Sequence, residues 1–195
     1  THLPKTFSKS VVIIETRNTP TLAFTIYNSL LLTDHTVGLE LFVSDGLQPT
    51  ILKLTTSFNN VVVHTIPNIT NTHEYTELLV SSKVWNTIQA ETILLVQTDA
   101  MLLKPFRWES FQSVDYIGSP WNHEPNLKIP WPDKSEVTRR LNPIQQLGTN
   151  RVGNGGFSLR RTQAMMETVR QFPYSEYGTI GNVVLPEDLY FSRYA

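Results

Sequence analysis

Short apolar runs alternate with longer stretches of helical spacing through the first half of the chain. SVVIIET (10–16), LELFVSD (39–45), VVVHTI (61–66) and the run at 92–97 are aliphatic or β-branched almost throughout, the pattern of strands buried on both faces. Between the first two, residues 20–33 carry Leu22, Ile26, Leu30 and Leu31 at helical spacing behind Pro20, a residue suited to a first helical turn. Residues 74–90 place Tyr75, Leu78, Leu79, Ser82 and Trp85 on one helical face. This alternation predicts βαβ units, hence an α/β, Rossmann-like fold with a mostly parallel central sheet flanked by helices. Ligands of such sheets sit beyond the carboxyl ends of the strands. Three of the four runs end there on polar residues: Glu15-Thr16-Arg17, Ser44-Asp45 and Gln97-Thr98-Asp99.

After residue 105 the texture changes. SVDYIGSPWN reads as a short strand and turn, and 121–152 is rich in Pro, Asn, Trp and charge with little periodicity, as in a functional or mobile loop. VGNGGFSLRR (152–161) reads either as a ligand-approaching glycine loop or as a tight turn between strands. A helix follows over about 162–171 with Met165, Met166 and Val169 inward, and VVLPEDLYFSRYA starts another at Pro186. There is no internal repeat and no linker-like segment.

A chain of 195 residues with 40% apolar and 17% charged residues suits one domain, expected to span 1–195. A formal charge of -1 supplies no field to draw in nucleic acid or an anionic membrane. The absence of cysteine excludes disulfides, zinc–thiolate sites and thiol nucleophiles. Any chemistry therefore comes from carboxylates, histidines, hydroxyls or a metal held by oxygen. No apolar run is long enough to span a bilayer and THLPKTFSKS lacks a signal-peptide core, so the expectation is a cytoplasmic protein without a membrane span. The single Asn68-Ile69-Thr70 sequon carries no weight in a chain rich in Asn and Thr.

Three stretches carry candidate chemistry. Asp99, ending a buried strand, is placed to hold Mg²⁺ or Mn²⁺, or simply to cap the next turn. The glycines of VGNGGFSLRR let backbone approach a ligand closely, but the stretch lacks both the P-loop ending and the dinucleotide fingerprint. In LPEDLYF, Glu187 and Asp188 suit the positive end of a helix, and a partly desolvated carboxylate there can also serve as general base.

Together VVIIETR, KVWNTIQAETILLVQTDAMLLKP, DYIGSPW, VGNGGFSLR and PEDLYFS, in this order between about residues 11 and 192, resemble an uncharacterised family grouped with the GT-A class of nucleotide-sugar glycosyltransferases. The resemblance implies a GT-A-like domain that moves a sugar from a nucleotide-sugar donor, expected to be UDP-linked, to an acceptor hydroxyl. In that class an Asp-x-Asp triplet ends a central strand. Asp99 would then hold Mn²⁺ or Mg²⁺ against the donor diphosphate. Gln97, where the first Asp usually stands, would bond a ribose hydroxyl, with Thr98 between them.

Gly155 and Gly156 would shape the sugar pocket, Asp188 would be the base of an inverting enzyme, and Glu187 a hydrogen-bond partner for a sugar. Thr16 and Arg17 would touch the nucleotide. Lys83 is a further candidate for the nucleotide or diphosphate, or a solvated lysine. Trp121, His123 and Trp131 would form an acceptor platform or a local packing anchor. The usual third metal ligand, a histidine beyond the Glu-Asp motif, has no counterpart among His2, His35, His64, His73 and His123. Either the chain is a fragment of a longer protein with other domains, the favoured expectation, or water completes the coordination of the metal.

Two other classes compete. A non-catalytic nucleotide- or carbohydrate-binding module is favoured by Gln97 and by the missing histidine. A nucleotidyltransferase needs a basic glycine-rich loop after the first strand, which TRNTPT does not supply.

Overall fold

The computed structural model describes residues 7–120, 153–180 and 183–195. The strands are β1 (Phe7–Ile14), β2 (Gly38–Val43), β3 (Val61–Thr65), β4 (Ala90–Val96), β5 (Tyr116–Pro120), β6 (Gly153–Arg161), β7 (Thr179–Ile180) and β8 (Val183–Val184). The helices are α1 (Pro20–Leu32), α2 (Gln48–Leu54), α3 (Thr72–Leu79), α4 (Ser82–Thr87), α5 (Thr162–Gln171), α6 (Tyr174–Tyr177) and α7 (Glu187–Tyr194), with a 3-10 turn at Trp108–Phe111.

Six strands form one sheet in the order β3-β2-β1-β4-β6-β5, and β7 and β8 form a separate hairpin. The first four are parallel, as the alternation predicts, with Val11 opposite Leu39 on one side and Leu94 on the other. β6 runs antiparallel to both β4 and β5, so the sheet is mixed at that end.

Successive residues of β1 enter opposite cores, which is why its sequence is continuously apolar. Val12 and Ile14 pack with Trp85, Ile93, Met165, Tyr190 and Phe191, whereas Val11 and Ile13 pack with Leu22, Ile26, Leu41, Leu94 and Trp108. The strands thus form a rigid middle layer whose polar ends alone are free to carry chemistry.

Three local readings change. The glycine-rich stretch is strand β6 rather than a loop, but between Ser119↔Asn154 and Gly118↔Ser158 its register slips, leaving Gly155, Gly156 and Phe157 as a bulge opposite β5. Glycine is a poor guide here because it both weakens strands and marks bulges. The helical face at 74–90 belongs to two helices that break at Val80-Ser81. Asn71 caps the first by accepting the Glu74 amide at 3.0 Å, and the Glu74 carboxylate returns a bond to the Thr70 amide at 2.7 Å. Helix α2, seven residues with Ile51 its one buried position, is too short to show a period. Among the described residues no helix is long and apolar enough to cross a membrane.

Candidate functional site

The carboxyl ends of β1 and β4 open onto a cleft of about 400 Å³, walled on its far side by the segment that leads into α3. Glu15, Thr16, Arg17, Gln97, Thr98 and Asp99 line it, together with Thr70, Asn71 and Tyr75. A larger hollow of about 630 Å³ lies at the opposite end of β4, beside Glu91, Arg161 and Gln163, where a parallel sheet does not build its ligand site.

Glu15 organises the β1 side. Its buried carboxylate accepts from the Arg17 amide, Nε and Nη2, each at 2.9 Å, and from Thr98 Oγ1 at 3.1 Å. Burial alone would raise the proton affinity of Glu15, but the Arg17 bonds, with Thr98 adding to them, hold it below the ordinary carboxylate range. The guanidinium it holds is largely exposed, and Asp99 contributes to its field. Thr16 is positioned differently. Its hydroxyl accepts from the Ile69 amide at 3.0 Å and donates to the Ile69 carbonyl at 3.2 Å, tying the far wall of the cleft to the sheet.

β6 and α7 build the other side. Arg160, wholly buried, makes a forked pair with Glu187, Nη1 to Oε2 at 2.8 Å and Nη2 to Oε1 at 3.2 Å. Trp85, Tyr116 and Phe191 surround its guanidinium at 5.2 to 5.9 Å from the ring centroids. Burial opposes the charge on Arg160, but Glu187 together with Tyr116 and Tyr75 outweighs it, so the guanidinium stays protonated.

Asp188 accepts from the Leu189 amide at 2.8 Å and from the Gly155 amide. Burial, and then the negative charge of Glu187, push its carboxyl up to about 6 against the two amides and Arg160. Neighbouring carboxylates thus differ in kind, one neutralised by a cation and one poised near neutrality.

Gln97 and the glycines join the two sides. The Gln97 amide donates to the Gly156 carbonyl at 2.8 Å, and a β-carbon on residue 156 would stand 2.7 Å from Gln97 Oε1. The buried Tyr75 hydroxyl lies beside Gln97, with Glu187, Arg160 and Asp99 in its electrostatic surroundings. Burial, reinforced by Glu187, raises its proton affinity and keeps it a neutral donor.

Of the residues singled out from sequence, Thr16, Arg17, Gln97, Thr98 and Asp99 line the cleft, and Gly155, Gly156, Glu187 and Asp188 meet behind Gln97. Lys83 is exposed on α4 and is not among the cleft residues. Trp121, His123 and Trp131 lie outside the described residues. Glu187 is buried and paired with Arg160 through both of its oxygens, Oε2 at 2.8 Å and Oε1 at 3.2 Å.

Three residues escaped the sequence reading. Glu15 was visible only as one member of a polar strand end. Arg160 alternates with Ser158 onto the face that carries Trp85 and Phe191, a period-two signal masked by the glycines before it. Tyr75 reads as an ordinary apolar position of α3.

Among the described residues no group of three His, Asp or Glu side chains is arranged to hold a metal. Glu15 and Glu187 are committed to arginines, whereas Asp99 and Asp188 form no ion pair among the described residues. Thr98 Oγ1 is turned to Glu15, and the exposed Asp99 carboxylate is a single hard oxygen donor in the cleft. It fits Mg²⁺ or Mn²⁺ where a ligand's phosphates complete the coordination.

The fold is similar to that of several glycosyltransferases of known structure. The apo glycosyltransferase GlyE of Streptococcus pneumoniae superposes with a TM-score of 0.55 at 11% identity, over 95% of this chain and 42% of that one. The bifunctional glycosyltransferase WbbM, also apo, gives 0.65 at 9% identity over 100% of this chain and 38% of that one. The mannosyltransferase PcManGT of Pyrobaculum calidifontis, solved with GDP-Man and Mn²⁺, gives 0.50 at 10% identity over 87% of this chain and 47% of that one. The chain thus spans less than half the length of each of these proteins. No curated protein matches its sequence significantly. Residues 59–195 match the family described as "Protein of unknown function (DUF5672)", and the chain belongs to that family.

Proposed function

We propose that the chain is a glycosyltransferase domain that passes a sugar from a nucleotide-sugar donor to an acceptor hydroxyl, with Asp188 as the proton acceptor. The observation that carries this reading is the sorting of four carboxylates at one end of the sheet. Glu15 and Glu187 are locked to Arg17 and Arg160, while among the described residues Asp99 and Asp188 form no ion pair. That leaves one carboxylate for the donor side and one for the acceptor side.

In the reaction the acceptor oxygen bonds to the anomeric carbon, and the bond from that carbon to the diphosphate breaks with its electron pair leaving on the nucleotide. The acceptor proton passes to Asp188, whose carboxyl near 6 is matched to a general base at neutral pH. Direct attack with a separate base fits inversion. Arg17, held by Glu15, places positive charge where the diphosphate would lie, and Gln97 offers an amide to a donor hydroxyl. A divalent ion, Mn²⁺ or Mg²⁺, would be held by Asp99 together with the diphosphate, and when bound would offset charge on the leaving group. UDP is the first donor nucleotide to test.

Asp99→Ala tests the reading. Asp99 is exposed, so its replacement should leave the fold intact and abolish Mn²⁺-supported turnover of a nucleotide sugar. Wild-type turnover in that variant defeats the assignment.

A second reading, a nucleotide- or sugar-binding module without catalysis, is favoured by Gln97, which leaves one carboxylate fewer for a metal. Calorimetry with UDP, with and without Mn²⁺, followed by a donor-hydrolysis assay separates the two. Binding without any turnover supports the module.

A further inference from the structure

The proposed reaction makes no use of Arg160, although it is among the largest fully buried side chains. A buried ion pair is weak evidence for stability, since desolvating two charges offsets much of their attraction. Its bonds point to another role, because they converge on one residue, Gly155. The Gly155 carbonyl accepts from Arg160 Nη2 at 3.3 Å and from Ser158 Oγ at 3.0 Å, and Ser158 Oγ in turn accepts from Arg160 Nε at 2.9 Å. The Gly155 amide bonds Asp188. Glu187, gripped by the same guanidinium, occupies the space a side chain at 155 would need.

We propose that Arg160 is a positioning residue for Asp188: by clamping Glu187 over the bare face of Gly155, it fixes the Asp188 carboxylate against the Gly155 amide with a negative charge beside it. The inference rests on reading Asp188 as the proton acceptor. The groups that face Asp188 are Glu187 and the Leu189 amide from α7, Arg160 and the Gly155 amide from β6, and Tyr116 from β5. After burial, Glu187 has the largest influence and raises the proton affinity of Asp188. Arg160 opposes it and counts for less. Removing the charge of Glu187, or the whole pair, therefore lowers the titration midpoint of Asp188.

The test is a carboxyl-carbon NMR titration of Asp188 in the wild type, in Glu187→Gln and in the double variant Arg160→Met/Glu187→Met, with thermal unfolding and nucleotide-sugar turnover measured alongside. The expected result is a midpoint lowered by about one unit in both variants, the size of effect a close charge exerts. Turnover should fall by about tenfold or more, a general base being worth at least that. The double variant should melt near the wild-type temperature, because apolar replacement of a buried pair is often neutral.

A folded double variant with an unmoved midpoint overturns the proposal. If the double variant fails to fold, Glu187→Gln decides alone, since its amide still accepts from Arg160, and an unmoved midpoint there overturns the proposal equally. Full turnover in Asp188→Asn rejects the reading on which the inference rests. Lost turnover in that variant, with unmoved midpoints in the other two, rejects the inference alone.

Discussion

Oε1 of Glu187 stands 1.9 Å from the point that a β-carbon on residue 155 would occupy, so Gly155 is the seat on which Glu187 rests. A flexible acid could ordinarily swing aside. This one is forked onto a guanidinium with no exposure at all, so moving it breaks a buried pair. Gly155→Ala should therefore cost on the order of 3–5 kcal/mol, the usual penalty for opening such a pair. Gly156→Ala meets the free end of Gln97, which is half-buried and can turn away, and should cost far less. Urea unfolding of the two variants checks the order, and equal losses contradict it.

Asp188 trades stability for its chemistry. Its carboxyl is pushed up to about 6 from an ordinary 3.8, so the folded state holds the proton more tightly than the unfolded chain does. Between those values folding takes up a proton and stability falls as pH rises, by a total on the order of 2–3 kcal/mol once both are passed. Asp188→Asn removes the penalty. The variant should be more stable than wild type at neutral pH, lose the decline across that window, and lose about a hundredfold or more in turnover. Wild-type turnover itself should rise with pH through about 6, as the base deprotonates. Unfolding and turnover measured across that range test both halves.

The main sheet was legible because Val11 to Ile14 and Ile93 to Val96 are apolar on both faces, a pattern only a covered sheet explains. The cleft was legible for the same reason: once the strands are parallel, Thr16, Arg17, Gln97 and Asp99 must end side by side. The charge sorting was not. Nothing in the order of residues says that Glu187 bonds Arg160, 27 positions earlier, rather than a ligand, because that choice depends on a bulge in β6 and on three rings closing around one guanidinium. Glycines that read as a loop in isolation are where the backbone makes room for the pair.

Glu15 is expected to matter through Arg17. Its carboxyl lies below the ordinary range, so the stability it contributes is present above about pH 4.5 and is lost as pH falls through its folded value. Glu15→Gln keeps the shape but removes the charge that holds the guanidinium, and should weaken nucleoside diphosphate binding by about tenfold, one charge-assisted bond's worth. Against wild type, its stability deficit at neutral pH should shrink on acidification. Calorimetry and acid-range unfolding measure the two effects, and a deficit independent of pH contradicts the account.

Thr16 makes the most local of these predictions. One hydroxyl satisfies both the amide and the carbonyl of Ile69, at 3.0 and 3.2 Å, and so pins the segment that walls the cleft. Thr16→Val has the same shape without the oxygen and leaves two backbone groups to find other partners, at about 1–3 kcal/mol for each that stays buried. Thr16→Ser keeps the oxygen. Hydrogen exchange at the Ile69 amide should be slow in the wild type and in Thr16→Ser but fast in Thr16→Val, with nucleotide affinity falling in the valine variant alone. If the three exchange alike, the wall is held by something other than this hydroxyl.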